Sequence, residues 1–296
     1  MKLDKRNTLR FIFSAGVCAT MIAMMPTAKA QQTVAKVDAV AALLPKSVQD
    51  AGVLRIAIPD VGKPLAFKDG DELKGMDPDL AKAVAGVLGL KAELSLIPFA
   101  AALTGMQANK YDISYGEFYV TVERLKVADF VTNWQDYSSF LVSNSKDYKP
   151  TVLTDICGHI VGAMAGSAEL ETLNKAAKSC TNAPTVSAFP SVSNAILALN
   201  SARVDGVLIN RGGAQEAINL DKTLNASGEI GGGPTATAVA RTENSEKMLQ
   251  AIKAAYDQLI KSGEYGKILE KNDTVYGAAK QAVIYTQGST PPKYGF

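Results

Sequence analysis

The chain has 296 residues, 47% apolar and 20% charged, enough for one large domain or two of ordinary size. Ordinary Gly and Pro levels exclude collagen-like and low-complexity architectures. Beyond the N-terminal region no charge-free apolar run reaches about 18 residues, which excludes a polytopic membrane protein. The single histidine, His159, excludes a metal site built on two imidazoles.

Residues 1–30 read as a signal peptide. Lys2, Lys5, Arg6 and Arg10 form a basic start, and Phe11 to Met25 is an uncharged, mostly apolar run. Ala28-Lys29-Ala30 then supplies a small-x-small cleavage pattern, with Gln31 as the first mature residue. The alternative, a short membrane anchor, meets an apolar run too short to span. Removing the segment takes the formal charge from +2 to −2, so nothing electrostatic points to nucleic acid. It also leaves two cysteines, Cys157 and Cys180, which in an exported chain read as one disulfide rather than two buried thiols. The loop so closed, about 24 residues, is worth roughly 3 kcal/mol if unstrained.

The mature chain opens with a weakly patterned stretch. Val53 to Ile58 is a β-branched run closed by Pro59, a first strand. Asp77-Pro78 is expected to open a helix, with Asp77 as N-cap and Gly89 as the stop. Ala92 to Ile97 reads as a strand, Ala100 to Asn109 as a helix, and Asp112 to Tyr115 as a strand. This βαβαβ order demands a parallel sheet covered by helices. A second such run follows: strands at 159–164, 185–188 and 204–209, with helices at 168–178 and 191–201. Two extended apolar runs, Ser138 to Val142 and Ala236 to Ala240, connect the units and suggest a hinge. A long helix over 243–261 and a shorter one over 265–271 close the regular part. The tail from Tyr276 to Phe296 reads either as an ordered strap or as a loose end.

Enzymatic devices are scarce. A Ser-His-Asp or Cys-His arrangement would have to use His159, two residues from Cys157. No G-x-S-x-G, Walker A or G-x-G-x-x-G pattern is present, and Gly231-Gly232-Gly233-Pro234 reads as a turn. No catalytic residue, metal or cofactor is expected. In such sheets ligands bind outside the carboxyl ends of the strands, which here collect a cation, acids, aromatics and amides.

Four motifs carry a resemblance. Gly75 to Ala81 resembles a G-F-D-x-D-L-A signature. Lys110 to Ile113 with Thr121 to Phe130 resembles a "G-K-x-D … T-x-E-R-x-K-x-x-D-F" block. Val161 to Ser167 resembles "V-G-x-x-x-G-T", and Arg203 to Val207 resembles "G-R-x-D-A-V". In that order they are similar to the periplasmic amino-acid-binding proteins of ABC importers, the extracellular solute-binding family 3 type. The resemblance implies an α/β, two-lobed periplasmic binding protein-like fold of type II, with two parallel-dominated sheets joined by two strand-like crossings. Lobe 1 would comprise 31–138 plus 241–296, and lobe 2 the inserted 139–240. It implies a periplasmic, monomeric binding protein without enzymatic activity that delivers an amino acid or a similar solute to an inner-membrane ABC permease.

Residue by residue, the resemblance assigns Arg124 to the ligand α-carboxylate, a role a guanidinium fork suits and lysine cannot copy. Phe99 would pack on the ligand side chain. Gly166 and Ser167 would complete the carboxylate site at a helix start. Three departures stand out. Asn210 replaces the Asp that usually meets the ligand ammonium. Glu117 and Tyr119 occupy a segment that is usually small and hydroxylic. Gly62 stands where an aromatic is frequent, with Asp60 nearby as a second acid. Glu117 or Asp60 would then supply the missing negative charge, favouring a cationic or atypical amino acid or an opine-like derivative. Two other readings are a cyclohexadienyl dehydratase-like enzyme using these carboxyls as acid and base, and a ligand-binding module for a membrane sensor.

Overall fold

Residues 34–296 are described by a computed structural model of the chain; the export segment expected at 1–30 lies outside the described residues. The first part carries α1 (Asp38–Ala41), α2 (Lys46–Ala51), β1 (Val53–Pro59), β2 (Phe67–Asp69), β3 (Glu72–Lys74), α3 (Met76–Leu88) and β4 (Lys91–Ile97). It continues with α4 (Ala102–Gln107), β5 (Ile113–Tyr119) and the long β6 (Ala128–Ser143). The second part carries β7 (Ile160–Met164), α5 (Ala168–Ala177), β8 (Thr185–Phe189), α6 (Val192–Asn200), β9 (Gly206–Asn210), α7 (Arg211–Leu220) and β10 (Leu224–Ser227). The chain then returns through β11 (Gly232–Ala240) to α8 (Ser245–Ser262), α9 (Glu264–Lys271) and β12 (Ile284–Tyr285).

The strand order is β4-β1-β5-β11-β6-β9-β7-β8, with β10 and β12 also pairing β6. β1 runs parallel to β4 and β5, and β7 runs parallel to β8 and β9. β6 is antiparallel to β11 along 128–137 and to β9 along 138–142, so one strand serves both lobes. The expected crossing at Ser138 to Val142 is thus the second part of a 16-residue strand. β11 pairs with β5 and the first part of β6, so it lies in the first sheet.

Helix α3 shows how sequence sets an element. Leu80, Ala83, Val84, Val87 and Leu88 recur at helical spacing, and all are buried against the first sheet. Its start differs from expectation. The N-cap is Gly75 at φ 118°, where a Cβ would fall 2.2 Å from the Leu65 carbonyl oxygen. Asp77 therefore sits inside the first turn, fully buried, rather than at the cap. Gly89, left-handed, ends the helix as expected.

The first core runs from α3, α8 and the first sheet across to Val192, Ala195, Val207 and Ile209 of the second lobe. A smaller core, including Phe140, Val161, Leu173 and Leu208, fills the other side of the second sheet. Cys157 and Cys180 form the expected disulfide there, with Cα atoms 5.4 Å apart.

The tail is an ordered strap. After β12 pairs with β6 it reaches Tyr294, whose carbonyl accepts from Gly232 N–H at 2.7 Å, and Phe296, which packs against the second core. This explains the glycine run: a Cβ on Gly231, at φ 67°, would meet the Phe296 ring at 2.6 Å. No helix among the described residues is long and apolar enough to cross a membrane.

Candidate functional site

The strand ends of both lobes converge on one cavity of about 30 Å³. It is lined by Phe99, Glu117, Tyr119, Arg124, Ser167 and Asn210 from the expected set, and by Asp136, Glu169, Val192 and Met164 among others. The volume holds roughly two waters. The lobes touch around it. Arg124 Nη2 donates to the Gly166 carbonyl at 3.0 Å, Lys63 Nζ lies 3.7 Å from Glu216, and the Arg211 guanidinium sits 4.7 Å from the Tyr276 ring centre.

Arg124 leaves β5 on a short 3-10 turn, its N–H held by Thr121 Oγ1 at 3.2 Å. Nη1 donates to the Tyr119 carbonyl at 2.8 Å. The guanidinium lies 5.6 Å from the Phe99 ring centre and 5.3 Å from that of Phe118. Burial lowers its pKa, opposed by the nearby charges of Glu169 and Glu171. No carboxylate stands within salt-bridge distance of Arg124 among the described residues. Two of its five N–H donors are used on backbone carbonyls, and the others remain for a ligand.

Glu117, on β5, lines the same cavity. Its φ of 47° is left-handed, which costs a non-glycine residue about 1 kcal/mol, and β11 shifts register opposite this part of β5. The side chain is buried within hydrogen-bonding reach of Asp77, which stands behind it and outside the cavity. Among the described residues neither carboxyl has a well-formed hydrogen bond from another group, although the Gly116 N–H beside Asp77 gives partial relief. Burial, then the neighbouring Asp77 charge, push Glu117 well above the usual carboxylate range; burial raises Asp77 to about 6.

Asp136 on β6 accepts from Tyr137 N–H at 2.8 Å and stands near the Arg211 N–H at the start of α7, yet burial still raises its pKa. Glu169 accepts from Ser138 Oγ at 2.8 Å. Three carboxyl groups and one guanidinium thus line the cavity. Tyr119 stacks edge-on against Tyr294 and Phe296, at 4.6 and 5.2 Å between ring centres, and its buried hydroxyl has no partner among the described residues.

Several expected residues make other contacts. Asp60 does not line the cavity; it is half-buried, and its N–H donates to the Ile97 carbonyl. Gly166 meets Arg124 through its carbonyl and packs on Ala100, where a Cβ would fall 3.0 Å from the Ala100 Cα. Ser167 Oγ caps α5 by accepting from Leu170 N–H at 3.1 Å, and Asn210 Oδ1 caps α7 by accepting from Gly213 N–H at 2.7 Å. His159 stacks on Tyr148 at 3.9 Å, away from the cavity. Sequence reasoning missed Asp77, Asp136 and Glu169. The flanking Trp134 and Tyr137, in a stretch otherwise of amides and hydroxyls, were the available signal for Asp136. No group of three or more His, Cys, Asp or Glu residues suited to a metal occurs among the described residues.

Residues 54–272 match the sequence profile of the bacterial extracellular solute-binding proteins, family 3. The chain is similar to the arginine-binding extracellular protein ArtP of Bacillus subtilis (strain 168): 32% identical over 109 residues, 37% of this chain and 42% of ArtP. Among solved structures it is similar to an ancestral arginine-binding protein bound to arginine: 33% identity, TM-score 0.70, covering 75% of this chain and 98% of that one. It shares its fold with the ancestral amino acid-binding protein AncCDT-1, a precursor of cyclohexadienyl dehydratase. That likeness has 23% identity and a TM-score of 0.68, covering 77% and 97% of the two chains. With the profile covering most of the chain and the two-lobed fold in place, the protein belongs to the bacterial extracellular solute-binding proteins, family 3.

Proposed function

We propose that the cleft captures a cationic amino acid or a close analogue in the periplasm, after signal-peptide cleavage, and that the liganded monomer delivers it to an inner-membrane ABC permease. The carrying observation is Arg124: a cleft guanidinium beside two packed aromatic rings, with no carboxylate partner of its own among the described residues. A ligand α-carboxylate would supply that partner, and Phe99 would cover the ligand stem. Glu117 and Asp136, which line the same cavity and are not charge neighbours of Arg124, favour a positive group elsewhere on the ligand. Similarity to arginine-binding proteins supports the same solute class.

In this reading Ser167 and Asn210 act mainly as caps that fix two helix starts on the cleft, Gly166 lets the second lobe approach Arg124, and Asp60 stands outside the contact set. The lobes are 31–138 plus 241–296 and 139–240. The pairing of β11 would move the second boundary upstream, to about residue 231. A cavity of about 30 Å³ cannot admit an amino acid, so the lobes separate to load and the ligand draws the open form closed.

The test is a thermal-shift screen of refolded mature protein against amino acids, polyamines, opines and prephenate. A ligand at 100 times its Kd stabilises by about 2.7 kcal/mol. Arg124→Ala should weaken the hit by roughly 100-fold, and survival of binding within about threefold would show that the carboxylate site lies elsewhere. The buried carboxyl of Glu117 favours one second reading, an acid–base enzyme of the cyclohexadienyl dehydratase kind. Turnover of prephenate or arogenate would establish it.

A further inference from the structure

Two buried carboxyls in contact are an unusual element in a binding wall. Asp77 is fully buried in the first turn of α3, and Glu117 is nine-tenths buried on β5 with its backbone held left-handed. Their four oxygens lack well-formed donors, and no lysine or arginine reaches them among the described residues. Like charges at contact in a dry site do not both ionise, so one proton between the two is the low-energy arrangement. Only Glu117 of the pair faces the cavity.

The titratable groups around the pair do not relieve it. Asp136 faces Glu117 from β6, and Tyr276 approaches from the turn after α9. Tyr115 on β5 and Tyr256 on α8 face Asp77, and their hydroxyls bond one another at 2.7 Å. Arg124 and Glu169 line the same cavity, with Arg124 directed to Tyr119 and Gly166 and Glu169 engaged by Ser138. No cation among the described residues acts on the pair itself, Arg211 facing Asp136 and Tyr276 instead, so a neutralising positive group would arrive with the ligand.

We infer that Glu117, backed by Asp77, is the subsite for the ligand's cationic end, and that the cation enters by displacing the proton shared between the two carboxyls. Before binding, the pair carries one proton and one negative charge. After binding it carries two negative charges against the ligand's positive one, and the proton leaves to solvent. Capture is then an exchange of one proton for one cationic solute. The inference rests on the reading of the cleft as a cationic amino-acid site. It makes Asp77 a positioning residue, since it acts through Glu117 without touching the ligand.

The experiment is calorimetric titration of the refolded mature protein with L-arginine at pH 7, in two buffers of different ionisation enthalpy, with Kd followed from pH 6.5 to 8. Close to one proton should be released per arginine bound, and Kd should fall about tenfold per pH unit. Glu117→Gln, which keeps the shape of a neutral carboxyl, should flatten the pH profile and remove most of the release. Arginine binding with no buffer-dependent heat in the unaltered protein overturns the proton exchange while leaving the solute reading intact. Full release retained in Glu117→Gln assigns the proton to another group and also overturns it. No arginine binding at all overturns the solute reading and this subsite together.

Discussion

At Arg124 and Glu117 a guanidinium and a buried carboxyl line one small cavity. The guanidinium spends two donors on backbone carbonyls, while the carboxyl leans on Asp77. Asp77 carries a consequence for stability. Burial raises it from 3.8 to about 6 in the folded chain, so between those values the fold holds a proton that the unfolded chain has lost. Its contribution is fully present below about pH 4 and is lost as the pH rises towards 6. Glu117 and Asp136, also raised by burial, add to the same decline, so Asp77→Asn should make it shallower without abolishing it in urea-unfolding midpoints measured from pH 4 to 7; an unchanged slope would remove Asp77 as a source. The placing of Arg124, Phe99, Glu117 and Tyr119 on one cavity was legible in the sequence because they stand at or just beyond the ends of expected strands. Asp77 was misread because Asp before Pro is a common helix start, whereas here the close approach of Leu65 gives the cap to Gly75. Asp136 was hidden because the first part of β6 carried no expectation.

At the scale of elements, the helix starts on the cleft are fixed by the side chains expected to touch ligand. Asn210 Oδ1 holds the first turn of α7. Asn210→Ala should therefore cost about 1 kcal/mol in urea unfolding, and Asn210→Asp, which keeps an acceptor, should cost much less. Equal losses in the two variants would show that the cap contributes nothing. Most helices and strands were legible from apolar spacing, as β1, α3, α6 and α8 show. Helix α7 was not: Gly212-Gly213 lowers its intrinsic propensity, and its stability comes from the cap and from packing of Ala214 and Ala217. The length of β6 was not legible either, because it changes partners midway, from β11 to β9.

Across the whole molecule, β6 and the tail connect the two lobes, and the tail does so beside the ligand wall. Tyr294 Oη accepts from Val120 N–H at 2.8 Å, and Phe296 rests on Tyr119 and the second core. Truncation after Ser289 should lower the Tm by several degrees, since roughly 2–4 °C accompanies each kcal/mol in a protein of this size. It should also weaken ligand binding through Tyr119, and an unchanged Tm and affinity would make the strap incidental. The sequence left the tail undecided because aromatic anchors reveal their purpose only when the glycine run they cover is in view. The central claim, a carboxylate held by Arg124 with a cation opposite, is tested most directly by comparing L-arginine with agmatine, the same molecule without its carboxylate, in calorimetric titrations of the refolded protein. Arginine should bind at least about 100-fold more tightly, a difference of about 2.7 kcal/mol. Equal affinity for the two, or binding of neither, would contradict it.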